Sequence, residues 1–294
     1  MFELRDSYAG PDCVVVFATI TMPRLIDHGK IPFKEELHAQ PGKITLSIYR
    51  RDPAVEAEGK FVDYEVPTED GMVVLDAVKY VETNIDPTLS LRWNCKAGKC
   101  GSCSAEINYK PSLMCKTRID TLGDHIKVAP MGAFPLIKDL VTDVSANWEM
   151  LKKIPVFTPR QDAPKPWIIA QIDIERSKEF KKCIECFLCQ DVCHVVREHS
   201  GTGYFGPRHI VKAASADMHP MDALDRSEFL DANAGLGFCN ITKCCTEVCP
   251  EDIHITDNAI IPEKERAVNA FYDPIAMIAR SRRRKKEAKN NGKQ

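Results

Sequence analysis

Four cysteines, Cys95, Cys100, Cys103 and Cys115, follow the pattern C-x4-C-x2-C-x11-C, and four more, Cys183, Cys186, Cys189 and Cys193, follow C-x2-C-x2-C-x3-C. A third run, Cys239, Cys245 and Cys249-Pro250, repeats the second with one member missing. Thiolates at these spacings hold iron–sulfur clusters, the first in the plant-type ferredoxin manner and the others in the bacterial manner. A chain with three such sites is built to conduct single electrons. In the loop from Cys95 to Cys103 three thiolates must turn inward within nine residues. Gly98 and Gly101 supply the tight backbone turns and let N–H groups approach the cluster. With Cys115 closing the site, four cysteines predict a [2Fe–2S] centre.

An offset of 56 residues carries Cys183, Cys189 and Cys193 onto Cys239, Cys245 and Cys249, and carries Cys186 onto Thr242. In two-cluster ferredoxins the fourth cysteine of each run ligates the other cluster. That rule assigns Cys183, Cys186, Cys189 and Cys249 to a [4Fe–4S] cluster. It assigns Cys193, Cys239 and Cys245 to a three-thiolate [3Fe–4S] cluster. Cys13 and Cys244 are left over. Cys13 reads as a buried free thiol. Cys244 adjoins Cys245, so its side chain is expected to point elsewhere; turned inward, it would make the third centre [4Fe–4S]. His194, directly after Cys193, reads either as an ordinary polar residue or as a group that tunes the third centre or meets an electron acceptor. For a one-electron couple ~59 mV shifts the equilibrium tenfold. Different clusters in series can therefore bias electrons along the chain.

The bland readings of these cysteines fit less well. Thirteen is an odd number for a disulfide framework. Structural zinc prefers cysteine pairs parted by a spacer, not C-x2-C-x2-C with a fourth soon after. No G-x-G-x-x-G or P-loop pattern marks a nucleotide or flavin site, and no catalytic base or nucleophile set is evident. A net charge of −2 gives no reason to expect nucleic acid as a partner. The longest apolar run, Val14 to Ile20, is far below the ~20 residues that span a bilayer. Glu3, Arg5 and Asp6 do not suit a signal peptide. Folding in the cytoplasm is the expectation.

The elements that position these thiols divide the chain. Residues 1–41 read as an arm with one added strand at Val14–Ile20. Ile44, Leu46 and Ile48 alternate with polar residues, as do Val62, Tyr64 and Val66; these predict neighbouring antiparallel strands. Asp70 is expected to cap a helix whose buried face is Val74, Leu75, Val78, Val81 and Ile85, ended by Pro87. A strand through Ala105, Ile107 and Tyr109 follows the cysteine loop. Residues 42–143 thus predict a small mixed sheet gripping one helix. Residues 144–279 read as all-α, with helices at Val144–Ile154, Ile172–Lys182, Pro207–Met218, Met221–Ala232 and Glu263–Tyr272, and a proline-rich stretch from Pro155 to Pro166. The tail, 280–294, carries Arg280, Arg282, Arg283, Arg284, Lys285, Lys286 and Lys289. It reads as a solvated end, or as a segment attracted to an anionic membrane or an acidic partner.

The order of the three centres resembles the iron–sulfur subunit of succinate dehydrogenase and fumarate reductase. Trp93-Asn94-Cys95, Cys100-Gly101-Ser102-Cys103, Tyr204-Phe205-Gly206-Pro207 and Val248-Cys249-Pro250 look like the family as well, over roughly residues 42–272. The resemblance implies an α+β chain: an N-terminal β-grasp plant-type ferredoxin domain, then an all-α bacterial-ferredoxin-like domain. It also implies a membrane-bound complex in which electrons pass between the FAD of a flavoprotein subunit and a membrane quinone. Transmembrane anchor subunits, with or without haem, would hold this chain peripherally at the cytoplasmic face. The alternative is a carrier subunit of a different dehydrogenase or of a soluble, thiol-linked fumarate reductase. Three departures concern the quinone end. The segment Cys193-His194-Val195-Val196-Arg197-Glu198-His199 lacks the proline and tryptophan of the family, Asn240 stands where many members have histidine, and Thr242 replaces isoleucine. The cluster ligands carry over; no quinone-contacting residue does.

Overall fold

Alternating burial makes the first two strands. In β1 (Lys43–Arg50) Ile44, Leu46 and Ile48 point into the core, and in β2 (Lys60–Pro67) Tyr64 and Val66 do. The two pair antiparallel as expected, Ile44 opposite Val66 and Ile48 opposite Val62. The computed structural model describes residues 42–163, 165–275, 277, 278 and 281. Cys13, the strand expected at 14–20 and the arginines and lysines of the tail lie outside the described residues.

Helix α1 (Val74–Asn84) buries Val74, Leu75, Val78 and Val81 against the sheet. Ile85 lies past its end and is exposed. Asp70 does not cap it. Instead Asp76 accepts from the Val73 N–H at 3.4 Å, and the amides of Val74 and Leu75 donate to the carbonyls of Thr117 and Met114. Those carbonyls satisfy two of the donors that a helix N-terminus leaves free. The helix start therefore fixes the segment that carries Cys115.

Strands β3 (Ser104–Ile107) and β4 (Lys110–Leu113) form a hairpin, and β5 (His125–Ala129) completes a mixed sheet of order β2-β1-β5-β3-β4. β5 runs parallel to β1 and antiparallel to β3. The strand expected to run through Tyr109 stops at Ile107. Asn108 and Tyr109 both take positive φ, the backbone of a two-residue hairpin turn. Two short strands, β6 (Leu136–Lys138) and β7 (Val141–Thr142), pair beyond the main sheet.

From α2 (Ser145–Lys153) onward the described chain is helical: α3 (Gln171–Lys178), α4 (Leu188–Asp191), α5 (His194–Glu198), α6 (Pro207–Asp217), α7 (Ser227–Ala232), α8 (Cys244–Glu247) and α9 (Ile261–Tyr272). The helix expected from Met221 forms only from Ser227. The backbone of the segment before it bonds elsewhere: Met221 accepts from Arg160 and Ala223 donates to Thr158, both in the proline-rich stretch. Asp222 is drawn to Arg226 at 2.8 Å. The sheet's core is not closed at residue 143. Cys186, Leu188 and Val248 of the helical half pack into it beside Cys103 and Cys115.

Candidate iron–sulfur centres

The first site is a loop folded over a hairpin. Lys96, Gly98 and Gly101 all take positive φ between Cys95 and Cys103. The turns aim amides at sulfur: Ala97 and Lys99 donate to Cys95 Sγ at 3.4 and 3.3 Å, and Ser102 to Cys100 Sγ at 3.5 Å. The β3–β4 register explains the spacing to Cys115. Ser104 pairs with Leu113, so Cys103 and Met114 meet beyond the pairs and Met114 donates to the Cys103 carbonyl at 3.1 Å. Cys115 is thus the return end of the hairpin. Cys100 has Cys95 as a neighbour, and Cys103 has Cys115. Burial opposes ionisation of Cys100, but hydrogen bonds from Ser102 and Cys95 bring that thiol down to about 7. Burial, with Cys115 and Cys100 alongside, pushes Cys103 up to about 12.

The 56-residue offset holds in the backbone. Short 3-10 turns at Glu179–Lys182 and Leu236–Phe238 lead into Cys183 and Cys239, both extended. Glu185 and Phe187 have positive φ, and so do Ile241 and Lys243, 56 residues on. Helices α4 and α8 follow at the same offset. The left-handed residues turn successive cysteines to one side, as a cluster-binding loop requires.

Cys183, Cys186, Cys189 and Cys249 line one cavity together with Phe187, Arg208 and Ile253. Burial, then the neighbouring thiols Cys183 and Cys249, push Cys186 up to about 12. Cys189 is likewise raised well above the ordinary thiol range, by burial first and then by Cys186, Cys183, Cys245 and Cys249. Arg208, paired with Glu185, opposes the rise at Cys183. Ile253 donates its amide to Cys249 Sγ at 3.4 Å. Around the third site, burial raises Cys193 and Cys245, the latter to about 11, with Cys244 and Cys239 adding to both. Thr256 lies 3.4 Å from Cys245 Sγ. Cys193 thus neighbours Cys239 and Cys245 of the other run, and Cys249 neighbours Cys183 and Cys186.

Cys244, left over by the spacing rule, has its thiol 3.2 Å from the Thr242 hydroxyl and lies close enough to Cys193 and Cys245 to act on both. His194 Nε2 accepts from Asn240 Nδ2 at 2.8 Å, so the residues that follow Cys193 and Cys239 meet across the repeat.

Several residues around the sites gave no sequence signal. Ser104 Oγ lies 2.8 Å from the Gly101 carbonyl and 2.9 Å from that of Cys186, joining the first two cysteine loops. Lys99 pairs with Glu251 at 2.9 Å, Lys116 Nζ donates to the Pro250 carbonyl at 2.8 Å, and Arg197 pairs with Glu106 at 2.8 Å. Each tie joins the strand-rich half to the helical half.

The donor set suits iron–sulfur cores. All twelve described cysteines are free thiols. Among the described residues no three Cys, His, Asp or Glu side chains close on a single-ion centre. The four thiols of the second site line one cavity, and amides and hydroxyls lie close to sulfurs at all three sites. Fold and sites together define an iron–sulfur protein with a plant-type ferredoxin half and a dicluster half.

Comparison with known proteins agrees. Residues 45–149 match the family described as a 2Fe-2S iron-sulfur cluster binding domain, and residues 179–253 the family described as a 4Fe-4S dicluster domain. The chain is 32% identical to the fumarate reductase iron-sulfur subunit of Mycobacterium tuberculosis, over 72% of this chain and 87% of that one. It is 29% identical to the corresponding subunit of Haemophilus influenzae, over 71% and 88%. A chain of the Mycobacterium smegmatis Sdh1 complex in the apo form superposes with a TM-score of 0.76 at 51% identity, covering 80% of this chain and all of that one. The chain belongs to the family of iron–sulfur subunits of succinate dehydrogenase and fumarate reductase. It is an electron-transfer subunit of an oxidoreductase.

Proposed function

We propose that this chain passes single electrons between the FAD of a flavoprotein subunit and a membrane quinone, through [2Fe–2S], [4Fe–4S] and [3Fe–4S] clusters in that order. The ligands are Cys95, Cys100, Cys103 and Cys115 for the first; Cys183, Cys186, Cys189 and Cys249 for the second; Cys193, Cys239 and Cys245 for the third. The clusters, when bound, supply one-electron redox chemistry. The residues of this chain hold the thiolates apart, bury Cys103, Cys115, Cys186, Cys189, Cys193 and Cys245, and direct N–H and O–H groups at sulfur. The supporting observation is the repeat, in which matching left-handed residues precede α4 and α8 and the fourth cysteine of each run neighbours the thiols of the other. The direct ties between the halves keep the first and second sites adjacent, as rapid transfer needs.

Among the described residues no helix is long and apolar enough to cross a membrane. In this reading separate anchor subunits hold the chain at the cytoplasmic face of the membrane, and residues 42–143 and 144–279 act as its two domains. Anaerobic purification with its partners, followed by iron and sulfide analysis and an EPR redox titration, tests the proposal. About nine irons per chain and three centres, one paramagnetic when oxidised, are expected. Intact preparations with only two centres, or a complex with no membrane component, would overturn it.

A further inference from the structure

Tyr204 lies in the loop that enters α6, and its place is fixed. Its amide donates to Thr202 Oγ1 at 3.4 Å, and the next amide, of Phe205, donates to the Ala234 carbonyl at 3.0 Å. Gly235, at φ +62°, packs so close that a Cβ there would lie 3.0 Å from Tyr204 Cα. The residue is only 7% exposed, and its hydroxyl has no hydrogen-bond partner. A buried hydroxyl left unpaired forfeits its hydration with nothing in return, and native proteins rarely leave one so.

The surroundings of that hydroxyl say what completes it. Tyr204 packs in one buried cluster with Cys193 and Cys245, with Cys239 against it, and the charged groups that act on its hydroxyl are Cys239 first, then Cys193 and Cys245. These are the three positions assigned above to the third centre. Each is a thiolate when it ligates. The other sulfurs already have donors: Thr256 at Cys245, and the amides of Val195 and Val196 at Cys193. A phenol O–H is a strong donor, and sulfur carrying negative charge is the acceptor it lacks.

We propose that the Tyr204 hydroxyl donates a hydrogen bond to a sulfur of the third centre, the Cys239 thiolate or a sulfide beside it, and thereby raises that centre's reduction potential. The proposal rests on the assignment of Cys193, Cys239 and Cys245 to one cluster. Its physical basis is that a hydrogen bond to sulfur stabilises the extra negative charge of the reduced state. Tyr204 acts on the centre directly and alters neither the ligand set nor the electron count.

The test uses the intact complex and two readouts. In wild type exchanged into D2O, electron–nuclear double resonance on the oxidised third centre should show a strongly coupled exchangeable deuteron from a side-chain donor. Tyr204→Phe keeps the ring and removes only the hydroxyl. It should abolish that coupling and shift the reduced-to-oxidised ratio at fixed potential at least threefold towards oxidised, ~28 mV at ~59 mV per decade. The signals of the first two centres should stay put. A wild-type spectrum without the coupled deuteron overturns the inference without any variant. So does a Tyr204→Phe complex with unchanged coupling and potential. Absence of the oxidised signal from wild type would instead overturn the assignment of the third centre.

Discussion

Replacing Gly101 by alanine places a methyl group 2.6 Å from Cys186 Cα and 2.9 Å from the Cys186 amide nitrogen. Neither atom can rotate aside, because both belong to the backbone of the second cysteine loop. Gly101 also has φ +68°, where an L-residue pays about 1–2 kcal/mol. Overpacking a closed contact adds about 1–3 kcal/mol. The sum, about 2–5 kcal/mol, is a large part of the stability of a single folded unit. Two other glycines separate the terms. Gly71, at φ +75°, has nothing within 4 Å of its notional Cβ, and Gly98, at φ +65°, meets only the flexible Lys116 side chain. Alanine at Gly71 should cost the backbone term alone; at Gly98 it also displaces the Lys116 stem, whose Nζ holds the Pro250 carbonyl. At ~2–4 °C per kcal/mol for a chain of this size, Gly71→Ala should lower the melting temperature by roughly 2–8 °C, and Gly98→Ala by at least as much. Gly101→Ala should fall by at least several degrees more than Gly71→Ala. It should also lose iron from the first two centres, or weaken their magnetic interaction, while the third signal persists. Melting curves, iron content and EPR of the three variants provide the assay. If Gly101→Ala melts with Gly71→Ala and keeps its full iron, the close approach of the two loops is not what holds them.

Thr242→Cys supplies the ligand absent from the third run and should convert that centre to [4Fe–4S], gaining an iron and losing the EPR signal of the oxidised state; an unchanged signature argues against the repeat-based assignment. Ser104→Ala removes the hydroxyl shared by two carbonyls and should cost about 1–3 kcal/mol in chemical denaturation, with a cost near zero showing that water replaces it. Glu263 is fully buried, and burial, then the Asp217 charge, raise its carboxyl to about 8 from an ordinary 4.5. Between those values only the folded chain keeps the proton, so its stabilising effect is whole below about pH 4.5 and is lost as pH climbs to about 8. The slope is up to about 1.4 kcal/mol per pH unit for one proton. Glu263→Gln should flatten that part of the stability profile, and parallel profiles for the two proteins would refute the assignment.

Local patterns were legible in the sequence and distant pairings were not. Ile44, Leu46, Ile48 and the face of α1 announced themselves by period, and cysteine spacing named the loops. β5 stayed hidden because its five residues bury only Ile126 and Val128, and its place beside β1 is set by a crossover of over seventy residues. The neighbouring of Cys103 and Cys115 depends on a hairpin whose turn, Asn108-Tyr109, lacks the glycine that usually marks one. Asp70 looked like a cap because the carbonyls of Met114 and Thr117 could not be foreseen at α1. The contacts of Ser104, Tyr204 and Arg208 arise only where separate segments meet, and no spacing rule reports such meetings.

The two copies of the repeat differ in their surroundings. In the first copy Cys186, Phe187 and Leu188 are buried, and Cys186 and Leu188 pack into the core shared with the sheet. Their counterparts Thr242 and Lys243 are exposed and Cys244 is half-buried, flanked by exposed Phe238 and Ile241. A pseudo-symmetric fold thus has one inward loop, against the first centre, and one outward loop. Under the proposed assignment the missing ligand falls on the outward loop. There the loop is exposed and loosely packed, whereas the complete set sits where buried backbone and the Arg208–Glu185 pair hold it. The second cysteine loop is thus closed against the first, and the third leaves an exposed face. The same asymmetry makes the Thr242→Cys outcome sharper. The new thiol would stand on an exposed loop with room to ligate, so failure to gain an iron would count against the assignment and not against the packing.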